Sequence, residues 1–242
     1  MSGSQLDVAD EKHRWLLEQY TEVASLAGGL AHEIKNPLST LTLNLQLLTE
    51  DFADPENQRE RRALQKIETL QKECHRLEEI LDAFLRFARI SELNPAPADL
   101  NKIVREVIEF QSAHADACGI VLRDDLHASL PDVRLDADLI KQAVLNLVLN
   151  ALHVMSEGGE LILKTRFDDR FVYLDVIDTG PGMSQEVISR IFKPFYSTRR
   201  GGNGLGLPTT KKIVEGHHGR LLVESEPGKG TAFTIELPIP TS

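Results

Sequence analysis

The chain of 242 residues is short of cysteine, of basic charge and of long apolar runs. Its two cysteines, Cys74 and Cys118, lie far apart without metal-ligand spacing, which fits a reducing compartment rather than a disulfide framework. The net charge of −10 argues against non-specific binding to nucleic acid, which needs a basic surface. The longest apolar stretch, 143–155, is interrupted by polar residues and is too short for a membrane span. Because no secretory signal opens the sequence, we expect a cytoplasmic location.

Proline and glycine divide the chain into two parts. Residues 90–100 contain Pro95 and Pro97, which cannot continue a helix. Glycine is scarce before this stretch and frequent after it. We therefore predict a helical domain over 1–93, a linker over 94–99 and a mixed α/β domain over 100–242.

Apolar residues recur every seven positions in the first part. One set is Leu16, Val23 and Leu30; the later set is Ile67, Cys74, Leu81 and Ala88, with a second seam at Leu70, Leu77 and Phe84. This pattern predicts two long helices that pack as an antiparallel hairpin. A lone hairpin leaves an apolar stripe uncovered, so two copies are expected to dimerise into a four-helix bundle. The alternative is that the two helices pack on the second domain.

Helix and strand patterns alternate in the second part. Helices are predicted over 100–117, 138–155 and 205–217, and strands over 119–123, 133–135, 161–167, 171–177, 221–225 and 231–237. Their sum is a two-layer α/β sandwich with a largely antiparallel sheet.

Three polar residues share one face of the predicted helix 138–155: Asn146, Asn150 and His153. Buried carboxamides cost free energy unless they find partners. One interpretation is that the asparagines bond loop backbone. The other is that they provide oxygen ligands for Mg²⁺ held with nucleotide phosphates.

Two glycine-bearing motifs follow. In DVIDTGPGMS, Asp178 ends a strand before Gly180 and Gly182, and its carboxylate could accept the amino group of adenine or act as a local cap. In RRGGNGLGLP, several glycines precede a helix whose free N–H groups suit phosphate. It is not a P-loop, because GxxxxGK[ST] is absent.

The segment IFKPFYSTR lies just before the second glycine motif and carries two aromatic residues, Phe192 and Phe195. It could form a mobile lid over nucleotide or be an ordinary surface loop anchored by its aromatics.

A different chemistry is indicated by GGLAHEIKNPL in the first part. His32 and Asn36 lie one helical turn apart, and Pro37 should bend the helix. Neutral imidazole is a competent nucleophile near neutral pH. The neighbouring Glu33 could accept the other ring proton.

Taken together, the motifs resemble the cytoplasmic core of a two-component sensor histidine kinase. HEIKNPL is similar to the H-box, NLVLNA to the N-box, DTGPGM to the first glycine box and IFKPFYSTR to the F-box. GGNGLGLPTTKKIVEGHHG and EPGKGTAF are similar to the remaining glycine boxes. Details of HEIKNPL and of the residues after Asn150 resemble the nitrogen-regulation type most.

The resemblance implies a role for each matching residue. His32 would be the phosphoacceptor, Glu33 its general base, and Asn36 the residue that positions water or the phosphoryl group in a phosphatase reaction. Asn150 would bind Mg²⁺ and Asp178 would read adenine. The other implied ATP-binding residues are Asn146, His153, Gly180, Gly182, Thr198, Gly202, Gly204, Leu205, Gly206 and Thr231.

The resemblance also implies the cofactors ATP and Mg²⁺ and two protein partners: a second copy of the chain and the receiver domain of a response regulator. No nucleic acid and no membrane segment of this chain are expected. The alternatives are a device that acts mainly as a phosphatase of the regulator, and an ATP-gated dimeric scaffold. Related ATPases carry a catalytic glutamate where this chain has Asn146, which favours phosphoryl transfer over hydrolysis. Whether the chain is a piece of a longer, membrane-anchored sensor stays open.

Overall fold

The computed structural model describes residues 34–89, 93–199 and 202–240. The chain divides into two compact units, Met1–Ser91 and Glu92–Ser242. His32 and Glu33, the predicted nucleophile and base, lie outside the described residues, as does the first predicted heptad set.

Two long helices form the first unit. The described part of helix α1 covers 34–51, and α2 spans Gln58–Arg89. The start of α2 is fixed by Asn57, whose Oδ1 accepts hydrogen bonds from the N–H groups of Arg59 and Glu60, both at 3.0 Å. Glu60 in turn accepts from the N–H of Glu56, so the turn resembles a capping box. The preceding Pro55 prevents the two helices from running on as one.

The predicted antiparallel hairpin is confirmed. Lys35 near the start of α1 pairs with Asp82 near the end of α2, at 2.8 Å between Nζ and Oδ1. Leu38 of α1 is buried, as are Ile67 and Cys74 of the predicted heptad seam on α2. The helices therefore cover one apolar seam within a single chain.

A five-stranded sheet forms one layer of the second unit. Its strands are β2 (Ile120–Asp125), β4 (Gly159–Phe167), β5 (Phe171–Asp178), β6 (Arg220–Ser225) and β7 (Thr231–Pro238), in the order β2-β4-β5-β7-β6. The β2–β4 pair is parallel and the other pairs are antiparallel. Separately, β1 (Ala96–Ala98) pairs antiparallel with β3 (Val133–Leu135).

Three helices form the other layer of this unit: α3 (Leu100–Ala117), α4 (Ala137–Val154) and α6 (Gly206–Gly216). Alternate residues of β5, namely Val172, Leu174 and Val176, are buried in the core. Ile140, Leu147 and Ile213 are the corresponding fully buried residues of the helices. The predicted two-layer α/β fold is confirmed.

The structure differs from the sequence prediction in local bounds. Helix α4 begins at Ala137 because Asp136 caps it, with Oδ1 accepting from the N–H of Leu139 at 3.2 Å. The predicted 205–217 helix is shorter at both ends, and the short helix α5 (Gln185–Ile188) was not predicted. Strand β1 lies inside the stretch predicted as a linker. Pro97 is tolerated there because β1 belongs to a two-stranded sheet and has a free edge.

Candidate functional site

Asp178 is the last residue of β5 and lies between β4 and β7, opposite Leu161 and Thr231. Its side chain is buried, and Oδ1 accepts hydrogen bonds from the N–H of Gly180 at 2.8 Å and of Thr231 at 3.2 Å. Burial raises the pKa of Asp178 above its ordinary value, and the two backbone hydrogen bonds oppose that shift. Among the described residues no hydrogen bond reaches Oδ2, so this atom is the one available to a ligand.

Glycines let the backbone close tightly around Asp178. A Cβ added at Gly180 would lie 2.8 Å from Asp178 Oδ1 and 3.0 Å from Val154 Cγ2. Gly182 has φ +65°, and a Cβ there would overlap the carbonyl oxygen of Glu226. Both predicted glycines are thus required by sterics at the site that Asp178 occupies.

The turn before β7 offers a matched test of this close packing. Gly228 and Gly230 both have positive φ, +79° and +82°, but a Cβ at Gly228 meets nothing within 4 Å. A Cβ at Gly230 would overlap the carbonyl oxygen of Asp178. We expect Gly230→Ala to lower the free energy of unfolding by about 2 kcal/mol more than Gly228→Ala does, because only the former adds a clash to the φ strain. Urea denaturation of both variants measures the difference; equal losses would contradict the steric argument.

Helix α4 carries the three polar residues predicted to share a face. The amide of Asn146 donates to the carbonyl of Gly206 at 3.3 Å, which is the backbone bond of the structural interpretation. The half-buried carboxamide of Asn150 makes no hydrogen bond within the described part of the chain. The exposed His153 ring donates from Nδ1 to the carbonyl of Leu149. Asn150 is therefore the one of the three whose whole side chain makes no hydrogen bond within the described residues, while the Oδ1 atom of Asn146 also accepts none.

The second glycine motif leads directly into α6. Gly204 has φ +64°, and a Cβ there would lie 2.6 Å from the carbonyl carbon of Phe195. The N–H of Phe195 donates to the carbonyl of Gly204 at 3.1 Å. Leu205 is buried and its N–H donates to Asn203 Oδ1 at 3.1 Å. The aromatic segment and the glycine segment are thus in direct backbone contact.

The rest of the aromatic segment lies against cationic side chains. Lys211 of α6 places Nζ 5.4 Å from the ring centre of Phe192, and Arg190 lies over the ring of Tyr196 at 4.4 Å. Thr198 is exposed. At Gly202, an added Cβ would lie 2.5 Å from Ser197 Oγ. The predicted lid therefore contacts the glycine segment before α6 and Lys211 on that helix, and its motion stays a prediction.

The structure brings predicted residues together in two places, both in the second unit. Asp178, Gly180, Gly182 and Thr231 lie together at the end of β5, whereas Asn146 contacts Gly206 where α4 meets α6. Asn36 is an exposed residue of α1, in the helical unit.

Sequence reasoning missed Ser225 at the end of β6. Its Oγ donates to the carbonyl of Gly230 at 2.8 Å and accepts from the N–H of Met183 at 2.9 Å. It therefore joins the loop after Asp178 to the turn before Thr231. A serine at a strand end has no distinctive local signal, so only the fold reveals this contact.

Two family models match the chain in sequence. Residues 22–93 match "His Kinase A (phospho-acceptor) domain", and residues 135–241 match "Histidine kinase-, DNA gyrase B-, and HSP90-like ATPase". The chain contains the core of a two-component sensor histidine kinase. This kinase core therefore combines the phosphoacceptor domain with the ATPase-type domain that holds Asp178.

Individual relatives agree with this assignment. Sporulation kinase E of Bacillus subtilis (strain 168) is 33% identical over 222 residues, which cover 90% of this chain and 29% of that protein. Sensor histidine kinase ZraS of Klebsiella oxytoca is 34% identical over 223 residues, 92% of this chain and 47% of that protein. The kinase core thus spans less than half the length of these two curated relatives.

Solved structures show the same fold. Full-length ShkA in complex with AMPPNP aligns with a TM-score of 0.72 and 28% identity, covering 90% of this chain and 46% of that one. Histidine kinase ThkA in complex with the response regulator protein TrrA aligns with a TM-score of 0.66 and 26% identity, covering 96% of this chain and 66% of that one. No helix in the described residues is long and apolar enough to cross a membrane.

Proposed function

We propose that this kinase core binds ATP in its second unit, phosphorylates His32, and passes the phosphoryl group to an aspartate of a response regulator. The observation that carries the proposal is the buried Asp178, whose Oδ2 has no protein partner among the described residues, in a unit of the ATPase family. A carboxylate held in this way accepts the amino group of adenine, which guanine does not present at the same place.

The phosphates of ATP would lie at the start of α6. The helix provides free N–H groups and the positive end of its dipole, and Gly202, Gly204 and Gly206 let the backbone approach. The Asn150 carboxamide, which has no hydrogen bond within the described residues, would hold Mg²⁺ through its oxygen. When bound, the ion would neutralise phosphate charge. The described residues contain no cluster of three or more acidic, histidine or cysteine side chains that would form a metal site from protein ligands alone.

In the proposed chemistry, a ring nitrogen of His32 attacks the γ-phosphorus in line. The N–P bond forms as the bond from phosphorus to the β,γ-bridging oxygen breaks, and ADP leaves with that electron pair. Glu33 accepts the proton from the other ring nitrogen, so the phosphorylated imidazole does not retain an extra charge. The phosphoryl group then moves to the regulator carboxylate. Asn146 does not provide a base for water, which favours transfer over hydrolysis.

Exposed leucines of the helical unit indicate a second copy of the chain as one of the two protein partners. Leu41 and Leu48 of α1 and Leu70 and Leu77 of α2 are each at least 40% exposed, although Leu70 and Leu77 belong to the predicted heptad seam. A second copy that covers these residues would complete a four-helix bundle. The ThkA–TrrA complex supports a response regulator as the other partner. The nitrogen-regulation subtype and a cytoplasmic location belong to this proposal as well.

The decisive experiment is chemical. The kinase core is incubated with Mg²⁺ and ATP labelled in the γ-phosphate, or in the α-phosphate as a control. We expect protein-bound label from the γ-position alone, on a bond that is lost in acid and survives alkali, as a phosphoramidate does and a serine ester does not. ATP binding without protein labelling would instead indicate the scaffold, and free phosphate without protein labelling a chaperone-like ATPase.

Asn36 supports a second candidate, in which the kinase core acts mainly as a phosphatase of the regulator. The residue is exposed on α1, four positions after His32 in the sequence, so it is accessible to a docked regulator. Comparing the rate of phosphate loss from a phosphorylated regulator with the rate of phosphate gain from the labelled kinase distinguishes the two directions.

A further inference from the structure

Residues 93–98 are the first described residues of the second unit, and they are bonded to the rest of that unit. We define residues 93–98 as the strap. The side chain of Leu93 lies on Gly216 at the end of α6, where an added Cβ would be 2.8 Å from Leu93 Cδ1. Asn94 donates its backbone N–H to Asp136 Oδ2 at 3.1 Å, and Arg134 donates to the carbonyl of Pro95 at 2.9 Å. Strand β1 then pairs with β3.

Asp136 links the strap to two helices at once. Its Oδ1 caps α4, its Oδ2 holds the strap, and its own N–H donates to Nε2 of His217 at 2.8 Å. The buried His217 ring donates from Nδ1 to the carbonyl of Ile213 at 2.7 Å. An imidazole that accepts at one nitrogen and donates at the other is neutral with its proton on Nδ1. The last turn of α6 is thus tied through His217 to the residue that holds the strap.

The two ends of α6 make different contacts. Its first residue, Gly206, receives the Asn146 hydrogen bond and follows the glycine segment, whereas its last turn holds Leu93 and His217. The helix has 11 residues and is therefore about 16 Å long. Because a packed helix moves as a rigid rod, a displacement of the strap reaches the glycine segment.

We propose that the strap and its anchors Asp136 and His217 are positioning elements for phosphoryl transfer, which set the place of α6 and hence of the glycine segment. This inference rests on the proposed function, since it concerns the same ATP site. It differs from the flexible linker predicted over 94–99: the strap belongs to the fold of the second unit, and a displacement of the strap would be passed on to α6.

Two substitutions remove the strap bond without touching the glycine segment. Asp136→Asn retains a good helix cap and its own N–H, but its amide nitrogen replaces Oδ2 and cannot accept from Asn94. Asn94→Pro removes the donor, and Asn94→Ala is the matched control because it keeps the backbone N–H. In the full chain we expect the first two variants to speed amide hydrogen exchange in the last turn of α6, and Asn94→Ala to match the unsubstituted protein.

Autophosphorylation kinetics complete the test. We expect Asp136→Asn and Asn94→Pro to lower kcat about tenfold, with KM for ATP changed by less than about twofold. Wild-type exchange and wild-type kcat in both variants would overturn the proposal. So would a uniform rise in exchange across the second unit, which indicates simple destabilisation. If the unsubstituted protein takes up no label, the proposed function fails, whereas the exchange difference still decides whether the strap controls α6.

Discussion

Replacing His32 with glutamine is expected to abolish incorporation of the γ-phosphate of ATP into the protein. Glutamine preserves a polar side chain of similar length but has no nucleophilic ring nitrogen, so the N–P bond cannot form. The loss should be complete rather than partial, because the proposed chemistry has one acceptor. The measurement is protein-bound label after incubation with γ-labelled ATP. Label that persists at the unsubstituted level would refute His32 as the acceptor.

Controls separate this chemical loss from a loss of structure. His32→Gln should still bind ATP with unchanged affinity, since the proposed nucleotide residues all lie in the second unit. It should also still form dimers, since Leu70 and Leu77 are intact. A variant that neither binds ATP nor dimerises would be misfolded, and Glu33→Gln would then test the same chemistry: it keeps the nucleophile and should label slowly rather than not at all.

Mixed dimers extend the same experiment. His32→Gln is combined with Asp178→Asn, so that one protomer can bind ATP and the other retains the acceptor. If transfer crosses between protomers, label returns and lies on the Asp178→Asn copy. If transfer stays within a protomer, the mixture remains unlabelled at ATP concentrations that saturate only the intact site.

The elements that define the second unit could be predicted because their signals are local. Asp136 is a helix cap that accepts from the N–H three residues on, and Leu161, Leu163 and Thr165 are buried at every second position of β4, as in a strand with one face on the core. In the turn after Asp178, the positive φ of Gly182 and the contact of Gly180 with Asp178 Oδ1 are local, so the motif itself marks the site, although the carbonyl of Glu226 that also excludes a side chain at Gly182 is distant in sequence.

What could not be predicted depends on contacts between distant residues. Pro95 and Pro97 indicate a linker locally, and only the pairing of Ala96 with Leu135 makes β1 a strand. The hydrogen bond from the Asn146 amide to the carbonyl of Gly206 joins residues that are 60 positions apart, so no local pattern could predict it. Likewise, Leu93, Asp136 and His217 have no common motif, so their association around the end of α6 is visible only in the fold.

Asp178→Asn is expected to weaken ATP binding about a hundredfold while leaving the fold intact. The asparagine oxygen can still accept from the N–H groups of Gly180 and Thr231, which now bond Oδ1. Its amide nitrogen replaces Oδ2 and would point a donor at the amino group of adenine. A purine with a carbonyl oxygen at that position should lose less affinity than ATP does. Isothermal titration with ATP and with ITP measures both effects.

The difference in stability between Asp178→Asn and the unsubstituted protein should depend on pH with a definite sign. Burial raises the pKa of Asp178 above its ordinary value of 3.8, so the folded state holds this proton more tightly than the unfolded state. The stabilisation from the neutral carboxyl is therefore complete below the unfolded pKa and is lost as pH rises through the folded pKa. Asparagine has no charge to bury, so the variant should gain stability relative to the unsubstituted protein over that rise. An opposite trend in urea unfolding would contradict the shift.

A carboxylate on the same strand provides the matched control. Asp175 accepts hydrogen bonds from Arg166 at 3.0 Å and Thr234 at 2.7 Å. It lies three positions before Asp178 on β5 and therefore on the opposite face of the sheet. Asp175→Asn removes the charge that Arg166 pairs with and should lower stability without changing ATP affinity. Equal losses of ATP affinity in both variants would mean that any disturbance of β5 weakens ATP binding. Asp178 would then have no specific role in recognising adenine.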